Sequence, residues 1–405
     1  MTNQHSPPTG AGYATTDFMP MDVDRAGRFG SSWSGPRSVV FVVNVDRAFL
    51  SHRASWAAAY AGAGARVTVL AQDTGYARAI RELGFGFVAL PGTREVSGVT
   101  AQIAAAAQIL RHLLKIRPQL VVLSATAAYV LGWPAAAFLP STRFVRVVAG
   151  AGRAMSEPRS VAGKVLRLQI RVGGWLRNVW TLFQIEPDLE LFCRSGLATR
   201  SRSRLIRGTG IDVEVWQPTG ITQTTPVRVV FASRLFREKG VDTFVEIARR
   251  AGSSDAEFLM YGGLDSGVTS NVSMEEVVGW ESEGLLMYRG ESSDMRSVLA
   301  DTDILVFPTR HPEGTPRILI EAAAMGVPVI AADQAGCRAV LGDAGVLVAA
   351  DDVEGFVSAV ELLVGDPTER ARLGSLGRAR IVDGFSLEHV LEELFRMTRC
   401  VPTDR

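Results

Sequence analysis

The feature that most constrains this chain is a rhythm. Short apolar runs of strand length alternate with helix-length segments, lapse once, and resume. In the first half the strand candidates are residues 37–43, 65–70, 85–90, 120–123 and 144–148, with helices expected over 50–62 and 100–116. Such alternation predicts parallel βαβ units. Between residues 207 and 226 the pattern gives way to Arg207-Gly208-Thr209-Gly210, Gln217-Pro218-Thr219-Gly220 and further Thr, ending at Pro226. That composition reads as a connector. Strand candidates then return at 227–232, 258–261, 285–288, 304–307 and 327–331, and everything after Asp351 reads as helical. The expected fold class is α/β, with two doubly wound Rossmann-like domains facing across a cleft. Ligands of such sheets sit outside the carboxyl ends of the strands.

Length and charge narrow the function. A chain of 405 residues suits two cores. A net charge of +1 gives no global field for nucleic acid. Cys193, Cys337 and Cys400 are far apart, with neither metal-type nor disulfide-framework spacing, which points to a reducing, cytoplasmic setting. Residues 1–36, rich in Pro, Gly, Ser and Thr without an apolar segment, read as a mobile tail. Residues 120–140 carry no charge over 21 positions, yet Ser124-Ala125-Thr126 and Pro134 interrupt them. A buried strand, a turn and a buried helix account for this stretch as well as a membrane span does.

Two segments carry chemistry. His311-Pro312-Glu313-Gly314-Thr315-Pro316-Arg317 follows the strand at 304–307. Thr315 is placed to cap a helix that starts at Pro316. Gly314 lets a ligand approach the backbone, and the helix start offers N–H groups to a phosphate. Glu321 lies in an otherwise apolar helix, where a carboxylate needs a partner. A ribose diol and nearby backbone are both candidates. The second segment is Phe231-Ala232-Ser233-Arg234-Leu235-Phe236-Arg237-Glu238-Lys239-Gly240. Arg234 and Lys239 lie beyond a strand end, where two cations suit a diphosphate. A solvated loop is the alternative.

Together these segments resemble the donor-binding half of family 4 retaining glycosyltransferases, enzymes of GT-B architecture. Glu313 and Glu321, with seven residues between, fit the family's paired glutamates. Arg234 and Lys239, with four between, fit its paired cations. Gly326-Val327-Pro328-Val329-Ile330 and Gly336-Cys337-Arg338 agree as well. The likeness extends more weakly to Asn44–Arg53 and to residues 204–212, which are similar to the subgroup extending polyprenyl-diphosphate-linked sugars.

The resemblance implies an enzyme moving a hexose or N-acetylhexosamine from a UDP- or GDP-linked donor to a lipid-linked or soluble glycan, without a metal or other cofactor. It implies domains at 37–217 (acceptor side) and 218–384 (donor side), and a helix at 385–405 returning to the first domain. Glu313, Arg234 and Lys239 would be the catalytic set. Gly314, Thr315, Pro316, Glu321, Arg289 and Gly290 would complete the donor site. Asn44, His52, Gly150 and Arg153 would face the acceptor or a phosphate, although a backbone-bonded role for His52 stays open.

Relatives usually carry a His after the fourth strand, often followed by Lys-Pro. Here that stretch reads Ser124-Ala125-Thr126-Ala127-Ala128-Tyr129. Asp301-Thr302-Asp303 has the look of a metal-binding Asp-X-Asp, but its position at a helix-to-strand junction predicts capping. Residues 164–183 mix Arg with Leu, Ile and Trp. They read either as a helix and strand with a basic outer face or as a peripheral membrane contact, which would place the protein at the inner face of the plasma membrane.

Overall fold

The computed structural model describes residues 23–91, 99–150, 161–219, 225–252, 255–264 and 272–398. In chain order the first part contains α1 (Val23–Gly30), β1 (Ser38–Val45), α2 (Asp46–His52), α3 (Ala54–Gly62), β2 (Arg66–Gln72), α4 (Ala77–Glu82), β3 (Gly86–Ala89), α5 (Val99–Ile116), β4 (Leu120–Ser124), α6 (Thr126–Phe138), β5 (Arg143–Val148), α7 (Val161–Trp175), β6 (Val179–Phe183), α8 (Glu186–Arg194) and β7 (Ser203–Leu205). The second part contains β8 (Val227–Ala232), α9 (Val241–Ala251), β9 (Ala256–Tyr261), α10 (Met274–Ser282), β10 (Met287–Tyr288), α11 (Met295–Ala300), β11 (Ile304–Phe307), α12 (Arg317–Ala324), β12 (Val329–Ala332), α13 (Ala335–Leu341), β13 (Val346–Val348), α14 (Val353–Gly365), α15 (Pro367–Gly384) and α16 (Leu387–Thr398).

The strands form two parallel sheets, ordered β3-β2-β1-β4-β5-β6-β7 and β10-β9-β8-β11-β12-β13. In each, the order reverses between two central strands: β1 and β4, then β8 and β11. Those reversals open the crevices where ligands of doubly wound sheets bind.

The central strands read as unbroken apolar runs because both faces are covered. Along β1, Val39, Phe41 and Val43 enter one core while Val40 and Val42 enter another. Along β8, Val229 and Phe231 point one way, Val230 and Ala232 the other.

The chain crosses between the sheets twice, and the crossings touch. Ile211 N donates to Phe385 O at 3.1 Å, and Leu387 N to Ile211 O at 2.8 Å. Beyond the second crossing, α16 sends Leu387, Val390, Leu391, Leu394 and Phe395 into the core that holds Phe41, Trp56 and Tyr60.

Several expectations need correction. The tail expected over 1–36 contains α1, whose Ala26 is fully buried; residues 1–22 lie outside the described residues. Glycine makes the packing possible. A Cβ on Gly30 would meet Ala59 O at 1.8 Å, and one on Gly62 would meet Gly27 O at 1.8 Å. The side-chain-free faces of α1 and α3 therefore touch backbone to backbone. From α1, Arg25 donates to Asp212 at 3.1 Å and Glu388 at 2.7 Å, bridging both crossings. The helix expected over 50–62 is two helices, broken at Arg53 with φ −132° and ψ −10°. Residues 120–140 resolve into β4 and α6, with Pro134 inside the helix. Among the described residues no helix is long and apolar enough to cross a membrane.

Candidate active site

The first-domain wall is built at the β1/β4 reversal. Asp46, fully buried, accepts from Thr74 N and Tyr76 N at 2.8 Å each and fixes the turn after β1. Just before it, Asn44 Oδ1 is buried without a hydrogen-bond partner. Arg53 is 3% exposed. Its guanidinium stacks on Trp56 at 4.5 Å, and donates from Nε to Ser124 Oγ at 3.0 Å and from Nη1 to His52 O at 2.7 Å. Burial pulls its pKa down to about 10. Beside it, Ala125 precedes α6 with φ 83° and ψ 155°, a region almost reserved for glycine.

His52 is the last residue of α2, not a residue at a helix start. Crowding in the cleft lowers its pKa well below the usual histidine range, and the cations Arg317, Arg53 and Arg234 lower it further. Because the ring keeps an accessible face, water relieves part of the crowding, and the downward direction rests on the three guanidiniums. His52 is neutral at physiological pH.

The second-domain wall is built at the β8/β11 reversal. A Cβ on Gly240, whose φ is 87°, would meet Pro308 O at 2.1 Å. Its absence lets the Arg234–Lys239 loop lie against the end of β11. Lys239 Nζ forms an ion pair with Glu313 Oε1, both side chains largely buried. Arg234 is exposed, with its guanidinium 4.8 Å from the Phe236 ring. Glu321 is 7% exposed and accepts from Arg317 Nε at 2.6 Å. Burial raises its pKa, against the lowering by Arg317. Arg317 Nη1 also donates to Ser51 O at 2.5 Å, joining α12 to the first domain.

Thr315 does not cap α12. The N-cap is Pro316, without a side-chain cap, and the helix begins at Arg317. The Thr315 hydroxyl is engaged elsewhere, donating to Gln184 Oε1 at 3.0 Å. Gln184 is a residue that the sequence reading missed. Its only signal was a polar residue directly after the apolar strand β6, and it is 6% exposed. Gly314 fits because it has no side chain: a Cβ would meet Ala149 O at 2.4 Å and Gln184 Oε1 at 2.8 Å. On its other side, a Cβ on Gly336 would meet Gly314 O at 2.0 Å. The loop carrying Glu313 is thus clamped between the two domains.

A cavity of about 370 Å³ joins the walls. Asn44, His52, Arg53, Ser124, Ala125, Ala149 and Gln184 line it from the first domain; Arg234, Lys239, Glu313, Gly314, Thr315, Pro316 and Arg317 line it from the second. Glu321, Arg289 and Gly290 do not line it. Glu321 stands behind Arg317, and Arg289 is exposed at the end of β10, where Gly262 N donates to Gly290 O at 2.8 Å. Gly150 sits beside the clamp, where a Cβ would lie 3.5 Å from Gly314 N. Arg153 lies outside the described residues.

The decoys resolve locally. Asp303 Oδ2 accepts from Arg228 N at 2.9 Å, and Thr302 Oγ1 donates to Val298 O at 2.7 Å, so Asp301-Thr302-Asp303 is turn chemistry. Among the described residues no group of three or more His, Cys, Asp or Glu is placed to hold a metal ion. Cys337 is buried, which pushes its thiol up to about 12, with Glu313 adding to the rise; it is no nucleophile.

Comparisons with known proteins agree with this geometry. Residues 226–366 match the family model described as Glycosyl transferases group 1. A GDP-mannose-dependent monoacylated alpha-(1-6)-phosphatidylinositol monomannoside mannosyltransferase of Corynebacterium glutamicum is 30% identical over 215 residues, covering 48% of this chain and 55% of the relative. Alpha-maltose-1-phosphate synthase of Mycobacterium tuberculosis is 30% identical over 220 residues, covering 47% and 55%. The chain thus spans about half the length of the curated relatives it matches. Anabaena HepE, solved with UDP and glucose, superposes with a TM-score of 0.73 at 16% identity, covering 89% of this chain and 99% of that one. The two parallel sheets therefore make a GT-B fold, and residues 226–366 are a domain of the glycosyl transferases group 1 family.

Proposed function

We propose that the protein is a retaining glycosyltransferase of family 4 type. It moves a hexose or N-acetylhexosamine from a UDP- or GDP-linked sugar to a glycan acceptor, most naturally a polyprenyl-diphosphate-linked sugar in cell-surface glycan assembly. The observation that carries this reading is the Lys239–Glu313 pair beside Arg234, on a loop that both domains hold. Arg234 and Lys239 would take the donor diphosphate and stabilise the charge growing on the leaving nucleotide. Glu313 and the backbone of Gly314, Thr315 and Pro316 would face the transferred sugar. Glu321, shared with Arg317, would reach the ribose once the guanidinium turns, and Arg289 and Gly290 would lie by the base. Asn44, His52, Gly150 and Arg153 would face the acceptor.

Among the described residues the one carboxylate lining the cavity, Glu313, is held by Lys239, so a front-face path assisted by the leaving phosphate is the mechanism we favour. Domain closure would keep water from the donor. The named substrate of one relative, a phosphatidylinositol monomannoside, supports a lipid-borne acceptor, whereas the name of the maltose-1-phosphate synthase carries no lipid. A peripheral membrane contact at the inner face of the plasma membrane fits the same reading. Along α7, Val165, Leu168 and Trp175 are 50%, 59% and 64% exposed, with Lys164 and Arg177 alongside.

The test is a matrix of nucleotide sugars against polyprenyl-diphosphate sugars and soluble glycosides, read by mass. A product one sugar heavier than its acceptor is expected. Donor conversion or phosphorolysis alone would instead mark an epimerase or phosphorylase on this fold, and tight donor binding with no turnover a non-catalytic binding protein.

A further inference from the structure

Cations outnumber carboxylates on the cavity wall. Among the described residues Arg53, Arg234, Lys239 and Arg317 line it, against Glu313 as the single lining carboxylate. Two of the cations have carboxylate partners: Lys239 has Glu313, and Arg317 has Glu321. Arg234 and Arg53 have no carboxylate partner among the described residues, and they stand on opposite walls. Arg234 is exposed, where water serves its charge cheaply. Arg53 is 3% exposed and its described partners are neutral, a hydroxyl and a carbonyl oxygen. A buried cation without a counter-charge is costly, and a fold keeps one where an anion supplies the balance. The side chain is also held still. Trp56, on which it stacks, is itself pinned by donation from Nε1 to Thr209 O at 2.9 Å.

A second observation points to the same place. Ser124, which Arg53 grips, leads through Ala125 into α6, a helix of 13 residues whose start has no side-chain cap. Ser124 and Ala125 line the cavity with Arg53. An uncapped helix start offers N–H groups and a positive dipole end to a phosphate. The backbone of Ala125 is held in a conformation costly for any residue but glycine, and such strain persists where surroundings over-determine it, commonly at ligand sites.

We propose that Arg53 and the start of α6 form a second anion site on the first-domain wall, which binds a phosphate or diphosphate group of the second substrate while the donor diphosphate occupies Arg234 and Lys239. The proposal rests on the donor reading above for its second half only. The same chemistry has two sources, the acceptor's phosphate and the donor's own diphosphate reaching across, and the experiment separates them.

Inorganic pyrophosphate is titrated calorimetrically into the full chain, alone and with saturating UDP or GDP. Two binding events are expected in the wild type. Nucleotide and K239Q each remove one of them; R53Q removes the other, weakening it by at least about tenfold, the worth of one lost charge-assisted contact. R53K retains it within about threefold. S124D, which sets a carboxylate beside Arg53 Nε and so neutralises the site in place, removes the same event as R53Q. It covers the case in which R53Q does not fold, since melting curves are recorded for every variant. The proposal is overturned if R53Q and S124D leave both events intact. It is equally overturned if nucleotide abolishes the Arg53-dependent event, because the site then belongs to the donor diphosphate. If UDP and GDP displace nothing while the Arg53-dependent event persists, the anion site stands and the donor reading fails.

Discussion

The two walls of the cleft solve the problem of charge differently. On the second-domain wall each buried carboxylate has a cation within reach: Glu313 with Lys239, Glu321 with Arg317. On the first-domain wall the polar groups are left wanting. Arg53 has no carboxylate partner among the described residues, Asn44 Oδ1 has no hydrogen-bond partner, and Ala125 holds a strained backbone. A wall whose charges are balanced internally keeps its shape and gives up a partner only to a ligand that competes for it. A wall with unmet polar groups recognises by completing them. The difference suggests that the second domain is organised around one strongly anionic ligand held by exchange of partners, and the first around whatever restores its balance.

Five substitutions, one of them also combined with a second, test that contrast. The largest effect is expected from K239A, which removes the cation proposed to face the leaving diphosphate; turnover of the folded protein should fall by at least about a hundredfold, as for loss of a principal charge stabiliser, and the melting temperature should fall too, because Glu313 loses its partner. E321A should behave alike through donor affinity. Full activity in either variant would remove the donor-site assignment. Next is G314A, whose methyl group meets Ala149 O and Gln184 Oε1; overpacking of this kind costs about 1–3 kcal/mol. Denaturant melts should report that loss, and donor KM should rise because the clamp springs open. If Gly314 matters only to the second domain, Q184A will restore the G314A protein to no degree.

H52Q tests the neutral ring. The folded-state pKa lies below the unfolded value near 6.5, so below about pH 6.5 the unfolded chain binds more protons and stability falls as pH drops. Wild type should lose stability from pH 6.5 downward more steeply than H52Q, with the two curves parallel above pH 7. An acid limb of equal slope in both proteins would show that the surrounding guanidiniums do not reach the ring. The smallest effect should come from R25A. Arg25 and Glu388 are about one-third exposed, and the buried Asp212 keeps the Glu214 N–H when Arg25 is lost, so the loss is about 1 kcal/mol. Hydrogen exchange should nonetheless quicken at residues 206–216 and 384–388, where the crossings lie.

Much of this was legible in the sequence, and the physical reasons are plain. Residues 227–232 and 304–307 read correctly as strands to the residue because a strand buried on both faces is a continuous apolar run bounded by turns. Strand 327–331 slid to Val329–Ala332 because Pro328 has no N–H to give the ladder, although its carbonyl accepts from Leu305 N at 3.0 Å. The short strand β13 was not foreseen, since three residues leave no periodicity. Glu313, Lys239 and Arg234 line one cavity, a grouping that the family resemblance implied and the residues alone left open. The return of the C-terminal helix to the first domain was expected, and α16 packs there; what could not be read was which side chains meet across the cleft. Gln184 reaches Thr315 across 131 residues, Arg317 reaches Ser51 across 266, and no local pattern records either. The helix α1 hid for another reason. Its contact surface is glycine, which sequence reading takes as a sign of disorder, whereas here it allows backbones to touch.

That helix has a mechanical consequence. A two-lobed molecule that closes on its substrates must pivot where the chain passes from lobe to lobe, and here both passages lie side by side at Ile211 and Phe385. Arg25 grips the acidic residue next to each, Asp212 and Glu388, from a segment that contributes to neither sheet. A side chain from outside both sheets thus ties the two passages together like a pin through a hinge, and salt is expected to loosen its part-exposed Glu388 end before its buried Asp212 end.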